Sequence, residues 1–300
     1  MRGAVSNDRP YRDNGLGGFG PTAITTTVGL SVGTLAVGDF NGDGKLDLVM
    51  ASANFGGSMS ILLGSGSGGF SVAPGSPFAT ATFPYAVAVG DFNGDGKPDL
   101  AVAEGLGRVA EVLLGDGTGR VVSFSVLPLP SIPSDIKAAD FNKDGKLDLA
   151  VAAGRGGVMI FLGDGSGGFS LSPGSPVAAG SLPNSVTVAD FNGDGKLDIA
   201  FAEKTSGLTV FLGDGSGGFS AATGSPFALG TFPYTVTVGD FNSDGKPDLV
   251  ITSGITSSVT ALLNMYPFTA YVCTNTTPPA ITSIDSASAY GGYPYFASGS

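Results

Sequence analysis

The chain has 300 residues, of which 50 are glycine, and its formal net charge at neutral pH is −11. Nucleic acids and anionic membranes reward basic surfaces, so this charge argues against both as partners. No apolar run approaches the roughly 20 residues that span a bilayer, which argues against membrane insertion. Abundant glycine between short apolar runs of Val, Ile, Phe and Thr predicts an all-β protein with many tight turns.

The N-terminal segment, residues 1–15, has no apolar core of the kind that signal peptides contain, so the chain as given begins without one. The next stretch, D-N-G-L-G-G-F-G at 13–20, predicts a Gly-rich turn. The stretch T-A-I-T-T-T-V at 22–28 predicts a strand, because β-branched residues dominate it.

An acidic motif of nine residues, D-F-N-x-D-G-K-x-D, is repeated along the chain. It begins at Asp39, Asp91, Asp140, Asp190 and Asp240, at spacings of 52, 49, 50 and 50 residues. Self-similarity at a fixed period is the signature of a repeat architecture. We call these five segments the acidic loops and number positions within them from the first aspartate.

Each period contains four short apolar runs, which predict four strands. The run Y-T-V-T-V-G-D (234–240) alternates as a half-buried strand does, and D-L-V-I-T-S (248–253) follows its acidic loop. One repeat earlier, G-L-T-V-F-L-G (207–213) is a third strand. A Gly-rich turn separates it from the fourth, and the equivalent turns are Gly64–Phe70, Gly115–Arg120, Gly163–Phe169 and Gly213–Phe219. About 50 residues with four strands is the size of a β-propeller blade, whereas a solenoid coil has a shorter period.

The last repeat has its third strand, S-V-T-A-L-L-N (258–264), but no Gly-rich turn after it. The N-terminal segment 13–28 supplies that turn and one strand. We therefore predict a β-propeller of four-stranded blades over residues 1–265, with five blades closed by the N-terminal strand, which would remove open sheet edges. The alternative is that the chain is a piece of a longer array.

The acidic loops have the composition of a calcium site. Side-chain oxygens stand at positions 1, 3, 5 and 9, and the glycine at position 6 permits the sharp turn that gathers them. The lysine at position 7 contributes its main-chain carbonyl and directs its side chain to water, while Phe40 at position 2 should plug the core. The predicted ligands are Asp39, Asn41, Asp43, Lys45 and Asp47; Asp91, Asn93, Asp95, Lys97 and Asp99; Asp140, Asn142, Asp144, Lys146 and Asp148; Asp190, Asn192, Asp194, Lys196 and Asp198; and Asp240, Asn242, Asp244, Lys246 and Asp248.

Calcium is not the only interpretation of the acidic loops. An Asp/Asn/Gly turn can be held by its own side-chain hydrogen bonds without metal. Zinc is disfavoured because the chain has no histidine and one cysteine, and Mg²⁺ prefers to keep its waters. An EF-hand is excluded because position 12 is apolar (Met50 in the first loop) and the flanks are strands. Five Ca²⁺ ions would bring the formal charge from −11 to about −1.

The pairing of D-F-N-G-D-G-K-L-D-L with L-L-G-S-G-S-G-G-F resembles the FG-GAP/VCBS-type repeats. These repeats are best known from the β-propeller of integrin α-subunits and are common in bacterial surface proteins. The resemblance spans residues 13 to about 265. It implies calcium at the five ligand sets and a secreted or cell-surface interaction and adhesion module. Integrin-type propellers have seven blades, so a fragment of a seven-bladed propeller remains an alternative.

The tail, residues 266–300, is Pro-rich and then rich in small residues. It predicts either a linker or the opening strand of an immunoglobulin-like domain. Its Cys273 is the single cysteine of the chain, so no intrachain disulfide can form.

We expect a partner to bind at the end of the blades that is opposite the acidic loops. In an up-and-down blade the acidic loop and the Gly-rich turn share one end, and the connections between strands 2 and 3 and between blades share the other. Those connections vary in sequence, and variable loops on a rigid scaffold usually bind partners. The candidates for contact with a protein or glycan are Asn54, Phe55, Tyr85, Arg108, Arg155, Glu203, Lys204 and Tyr234. Alternatively, Phe83, Phe232 and the two tyrosines pack between blades.

Three function classes follow. The first is a calcium-stabilised, non-catalytic interaction module. The second is a lectin, although F-P-Y precedes the second and fifth repeats while I-P-S and L-P-N precede the third and fourth, which weakens a repeated sugar pocket. The third is an enzyme, which we do not expect because no histidine is present to act as a base.

Overall fold

The computed structural model describes residues 32–52, 57–177, 182–204, 207–229 and 232–265. Within them the chain forms twenty β-strands and one short 3₁₀ helix, Gly154–Gly156, so the all-β prediction is confirmed. The chain divides into two compact units, Met1–Leu127 and Pro128–Ser300. The predicted closing strand (13–28) and the tail (266–300) lie outside the described residues.

The first unit contains two sheets. In each, the first four strands form an antiparallel meander in which successive strands are hydrogen-bonded neighbours. Blade 1 consists of β1 (Val32–Gly38), β2 (Asp47–Ser52), β3 (Ser58–Gly64), β4 (Phe70–Val72) and β5 (Phe78–Ala79). Blade 2 consists of β6 (Pro84–Gly90), β7 (Asp99–Glu104), β8 (Val109–Gly115) and β9 (Val121–Pro128).

The second unit contains three sheets with the same strand order. Blade 3 consists of β10 (Asp135–Ala139), β11 (Asp148–Ala152), β12 (Val158–Gly163) and β13 (Phe169–Leu171), with the 3₁₀ helix between β11 and β12. Blade 4 consists of β14 (Pro183–Ala189), β15 (Asp198–Glu203), β16 (Gly207–Gly213) and β17 (Phe219–Ala221). Blade 5 is described over β18 (Pro233–Gly239), β19 (Asp248–Ser253) and β20 (Val259–Leu262). Four-stranded meanders of this kind are β-propeller blades, and the predicted fold class is confirmed.

The second strand of a blade is its most buried element. All six residues of β7, D-L-A-V-A-E, are buried, and so are all residues of β11 and β15. A strand that is covered on both faces is nearly continuous in apolar residues, whereas the first strand of blade 5, P-Y-T-V-T-V-G, alternates apolar and polar residues. In each unit the cores lie between neighbouring sheets: Val49 of blade 1 packs with Val102 of blade 2, and Ala152 of blade 3 with Phe201 of blade 4.

The phenylalanine at position 2 of the acidic loop plugs the core in the first three blades. Phe40, Phe92 and Phe141 are 3%, 2% and 1% exposed, as predicted. The prediction is wrong for Phe241, which is 52% exposed. Phe40 and Phe141 pack against the blade that follows their own along the chain. Phe241 belongs to blade 5, and no described sheet of the same unit follows blade 5.

The fourth strand follows the Gly-rich turn as predicted, but it is short in three of the blades. In blades 1, 3 and 4 it is three residues long, after which the chain turns at a G-S-P sequence and pairs with the third strand again. The serine hydroxyl of that sequence accepts a hydrogen bond from a third-strand N–H: Ser76 from Ile61 at 2.9 Å, Ser175 from Ile160 at 2.9 Å and Ser225 from Val210 at 2.8 Å. Blade 2 lacks the G-S-P sequence, and its β9 runs for eight residues.

We predict that Ser175→Ala lowers the free energy of unfolding by about 1–3 kcal/mol, because it leaves the N–H of the fully buried Ile160 without an acceptor. Urea denaturation measures the change. The matched control is Ser170→Ala on the exposed part of β13, which should change stability by less than about 0.5 kcal/mol. Equal effects for the two variants would contradict the proposed role of the Ser175 hydroxyl.

Candidate metal-binding loops and the opposite face

Each acidic loop is organised by its own side chains. In the first loop the Asp39 carboxylate accepts hydrogen bonds from the N–H groups of Asp43 (3.1 Å) and Gly44 (2.8 Å). Asn41 accepts from the Asp43 N–H at 3.0 Å, and Asp43 accepts from the Lys45 N–H at 3.0 Å. The same bonds recur in the other four loops with nearly the same lengths. The side chains at positions 1, 3 and 5 therefore converge on one short stretch of backbone.

The glycine at position 6 has the left-handed conformation that the turn requires. Its φ is 77° at Gly44 and lies between 77° and 81° in the other four loops. A side chain there would be strained, so the sequence preference follows from the backbone. Position 4 is also left-handed, with φ of 60° at both Lys143 and Ser243, where the loops depart from glycine.

The lysine at position 7 does not simply extend into water, which corrects the expectation for this residue. The Lys45 ammonium lies 2.9 Å from the Asp43 carboxylate, and the equivalent distances in the other loops are 3.3–3.7 Å. Its aliphatic stem lies across the Gly-rich turn, because a Cβ atom built on Gly66 would come within 2.8 Å of it. The side chain is 43% exposed, so the pair is a surface ion pair of modest strength.

The aspartate at position 9 joins the acidic loop to the Gly-rich turn. In blade 4 one oxygen of Asp198 accepts from the Phe191 N–H and the other from the Gly213 N–H, both at 2.8 Å. The equivalent aspartates make the same two bonds in the other blades, with the Asn264 N–H in place of glycine in blade 5. All five carboxylates are 0% exposed. Sequence analysis missed this role, although the regular co-occurrence of the two motifs was its signal.

Close approach explains the glycine that begins each Gly-rich turn. A Cβ atom built on Gly213 would overlap the carbonyl oxygen of Leu197 at position 8 of the acidic loop, and Gly64, Gly115 and Gly163 are placed in the same way. The two turns therefore touch through backbone atoms, and the buried aspartate lies beneath them.

The carboxyl groups of a loop have different electrostatic environments. Burial raises the pKa of Asp198 above its usual value, the N–H groups of Gly213 and Phe191 oppose that change, and the negative charges of Asp190 and Asp194 add to it. The same causes raise the pKa of Asp99 and Asp148. By contrast, the N–H and side chain of Lys196 hold the pKa of the exposed Asp194 below its usual range. Each of these loops therefore concentrates negative charge around one buried carboxyl.

The donor set of the loops suits a hard cation, since every candidate ligand atom is an oxygen. The carboxylates in the structure are directed at backbone N–H groups and at lysine. Within the described residues, no group of three or more acidic, histidine or cysteine side chains is gathered closely enough to hold a metal ion. Each carboxylate oxygen has two lone pairs, so a hydrogen bond from an N–H does not exhaust its capacity.

At the opposite end of the blades the structure places the candidate contact residues as follows. Tyr85 and Tyr234 are 50% and 54% exposed, and Phe232 is 49% exposed. The Tyr85 ring lies against Gly105, and the Tyr234 ring lies 3.7 Å from a Cβ atom built on Gly254. Each tyrosine therefore packs over the connection between the second and third strands of its own blade. Phe83 is half-buried, with its ring centroid 6.2 Å from that of Tyr85.

The charged candidates do not all lie on the surface. Arg108, Arg155 and Lys204 are exposed in the connections between second and third strands. Glu203 is 1% exposed and accepts a hydrogen bond from the Thr209 hydroxyl at 3.2 Å, so its prediction as a contact residue is wrong. It ends a strand that is buried along its whole length. Asn54 and Phe55 lie outside the described residues.

Comparison with known families identifies the repeat. The model of the FG-GAP-like repeat matches residues 39–102, 140–201 and 190–251, and the FG-GAP repeat model matches residues 83–124. The chain belongs to the FG-GAP-like repeat family. Each FG-GAP-like match begins at the first residue of an acidic loop and ends in the second strand of the following blade. No curated protein matches the chain.

Solved structures share the fold of this FG-GAP-like repeat chain at low sequence identity. A crystal structure of BBS1N in complex with ARL6DN matches with a TM-score of 0.53 and 16% identity, and the match covers 78% of this chain and 64% of that one. An Agrocybe aegerita lectin, described for its specific recognition of non-reducing terminal N-acetylglucosamine, matches with a TM-score of 0.54 and 17% identity, covering 85% and 74%. Among the described residues no helix is long and apolar enough to cross a membrane.

We predict that Asp198→Asn lowers the free energy of unfolding by about 1–3 kcal/mol in the presence of a chelator, because the amide NH₂ must face one of two buried N–H donors. The control is Asp194→Asn in the same loop, which is exposed and should cost less than about 1 kcal/mol. Denaturant titration compares the two variants. If Asp194→Asn is the more damaging, the buried carboxylate does not hold the two turns together.

Proposed function

We propose that this chain is a calcium-binding, non-catalytic β-propeller module that binds a protein or glycan and belongs to a secreted or cell-surface protein. The main support is the repetition of one oxygen-rich geometry in five acidic loops. A turn that needed no ion could be made from one or two aspartates. The chain instead places three aspartates and an asparagine in every loop, and fifteen aspartates in all.

The proposed ligands are the oxygens at positions 1, 3, 5 and 9, together with the position-7 carbonyl. In the fourth loop these are Asp190, Asn192, Asp194, Asp198 and the main chain of Lys196. The side chains of Asp190, Asn192 and Asp194 already converge on the backbone from Gly193 to Lys196, so small rotations would bring their free lone pairs to a common centre. Asp198 would contribute a lone pair of an oxygen that already accepts a hydrogen bond from a backbone N–H. The position-5 carboxylate must also turn away from the lysine ammonium, which lies 3.3 Å from it in this loop.

An ion at this place would relieve an electrostatic cost. Without it, the charges of Asp190 and Asp194 make ionisation of the buried Asp198 less favourable. A bound cation neutralises these charges, and its binding free energy adds to the stability of the folded state. Weak extracellular modules bind Ca²⁺ in the millimolar range, where secreted proteins find it.

We predict that saturating Ca²⁺ raises the Tm relative to the protein in chelator, and that about five ions per chain bind the acidic loops. Mg²⁺ at the same concentration should raise the Tm less, because it gives up its waters reluctantly. Differential scanning calorimetry and metal analysis after equilibrium dialysis provide the two measurements.

A pair of variants in blade 4 ties the effect to the loops. Asp190→Ala removes a proposed ligand and should reduce the bound calcium by one ion per chain. Asp214→Ala removes an acid that caps the Gly-rich turn of the same blade through the N–H groups of Ser216 and Gly218, and it should leave the count unchanged. No bound calcium in the unmodified protein would refute the proposal.

The recognition surface is proposed on the blade ends opposite the acidic loops. Tyr85 and Tyr234 occupy equivalent positions in blades 2 and 5 and expose about half of each ring there. Aromatic rings with a polar tip are favoured contacts for proteins and sugars. The solved relatives include one described in complex with a protein and one described for glycan recognition, so both partner classes are represented on this fold. The latter, together with the exposed rings, supports a lectin as the second candidate.

We predict that Tyr85→Ala and Tyr234→Ala each weaken binding at least about tenfold, the loss of roughly 1.4 kcal/mol expected for a central aromatic contact. The probes are an array of immobilised glycans, with terminal N-acetylglucosamine included, and a panel of extracellular matrix proteins. Lys143→Ala, exposed on an acidic loop, is the control and should bind normally. Binding that survives both tyrosine variants but fails with Lys143→Ala would place recognition on the other face.

A further inference from the structure

Blade 2 contains a pair of buried carboxylates away from its acidic loop. Glu104 is the last residue of β7, and Glu111 lies on the adjacent β8. In the register of these strands Val102 is opposite Glu111 and Glu104 is opposite Val109, so the two glutamates are diagonal neighbours on one face of the sheet. They are 0% and 7% exposed.

The segment that leads from blade 1 into blade 2 covers this pair. The N–H of Ala81 donates to Oε2 of Glu111 at 3.1 Å, and the N–H of Thr82 donates to Oε2 of Glu104 at 3.0 Å. Two successive backbone amides therefore satisfy one oxygen of each carboxylate and fix the position of both side chains.

Other buried oxygens lie at this place. Within the described chain, Oε1 of Glu104 and the hydroxyl oxygens of Thr80 and Thr82 are buried atoms that make no hydrogen bond of regular geometry, although the Thr80 hydroxyl lies beside the Glu104 carboxylate. None of the ion pairs among the described residues includes Glu104 or Glu111. Unpaired buried polar atoms are rare in folded proteins and point to a bound water or ion. These buried oxygens and the two carboxylates together form a cluster of oxygen atoms that carries negative charge.

The equivalent place in blade 4 shows a complete arrangement with a single acid. Glu203 corresponds to Glu104 and Thr209 to Glu111, since each pair occupies the same register positions in its sheet. The Thr209 hydroxyl donates to Oε1 of Glu203 at 3.2 Å, the atom that remains unpaired in Glu104. Replacing this hydroxyl donor by a second carboxylate, as blade 2 does, removes a hydrogen bond and adds a charge.

We propose that Glu104, Glu111, Thr80 and Thr82 form a further cation site, which takes a hard divalent ion with Ca²⁺ as the fitting example. The donors are all oxygens, two carboxylates match the ionic charge, and Ca²⁺ accepts the irregular geometry that carboxylates and hydroxyls would offer. The site lies at the end of β7 opposite Asp99 of the acidic loop, five residues or about 17 Å along the strand. It is separate from the loops in the proposed function and does not depend on them.

The energetics of the ion-free pair agree with this assignment. Burial raises the pKa of Glu104 to about 6, and the charge of Glu111 adds to the effect, while the Thr82 N–H and the adjoining Thr80 hydroxyl oppose it. Burial also raises the pKa of Glu111. Both carboxyl groups are therefore costly to ionise at this place without a compensating positive charge.

The test is a count of bound calcium in the full chain after equilibrium dialysis at pH 7.5, compared among three variants. Glu111→Thr reproduces the acid–hydroxyl pair of blade 4, and Glu104→Gln keeps the side-chain shape while removing one charge. Each should bind one ion fewer than the unmodified chain. The control, Glu203→Gln in blade 4, should bind the full number.

The result does not depend on occupancy of the loops. If the loops bind as proposed, Glu111→Thr lowers the count from about six ions to about five; if they bind none, it lowers the count from one to zero. Equal counts in the unmodified chain and Glu111→Thr would overturn the proposal and assign a shared proton to the pair.

Discussion

A buried aspartate held by two backbone N–H groups is the contact on which each blade depends. It stands at the start of the second strand. One of its oxygens accepts a hydrogen bond from an N–H of the acidic loop, and the other accepts one from an N–H of the Gly-rich turn. In blade 5 the second donor is the N–H of Asn264. Removing a carboxylate from water is costly unless it is well paired. The two amides are that pairing, and they fix the relative position of two turns that are separated by two strands. The exposed acids of the loop are presented in one orientation because this contact holds the loop.

The same contact explains why the two ends of a blade serve different purposes. At the acidic end, backbone approaches backbone so closely that Gly213 has no room for a side chain, and the sequence is restricted accordingly. The other end differs in sequence from blade to blade, and it exposes aromatic and basic side chains such as Tyr234 and Arg155. A rigid end and a variable end are the usual division between scaffold and recognition. Blade 2 departs from the pattern at its variable end by burying two glutamates, and we attribute this departure to a bound ion.

Much of the fold was predictable because the repeat supplied five independent copies of each signal. The alternation of the first strand, the glycine at position 6 and the burial of Phe40 all follow from the local sequence. What the sequence could not show were contacts made across the blade. Asp198 accepts hydrogen bonds from two turns, the Ser175 hydroxyl accepts one from a third-strand N–H, and buried Glu203 accepts one from Thr209. Each of these contacts joins residues that are 6 to 15 positions apart. Glu203 looked like a loop residue because charge usually marks a surface, and it is buried because a hydroxyl on the adjacent strand satisfies it.

The function that we propose depends above all on the acidic loops being cation sites and not only turns. Anomalous scattering from crystals grown in Ca²⁺ tests it most directly, because the ion itself is located relative to named oxygens. We expect an anomalous peak in each acidic loop, within about 2.3–2.6 Å of oxygens from positions 1, 3, 5 and 9. Well-ordered loops without such peaks, with the position-5 aspartate still paired to lysine, would contradict it.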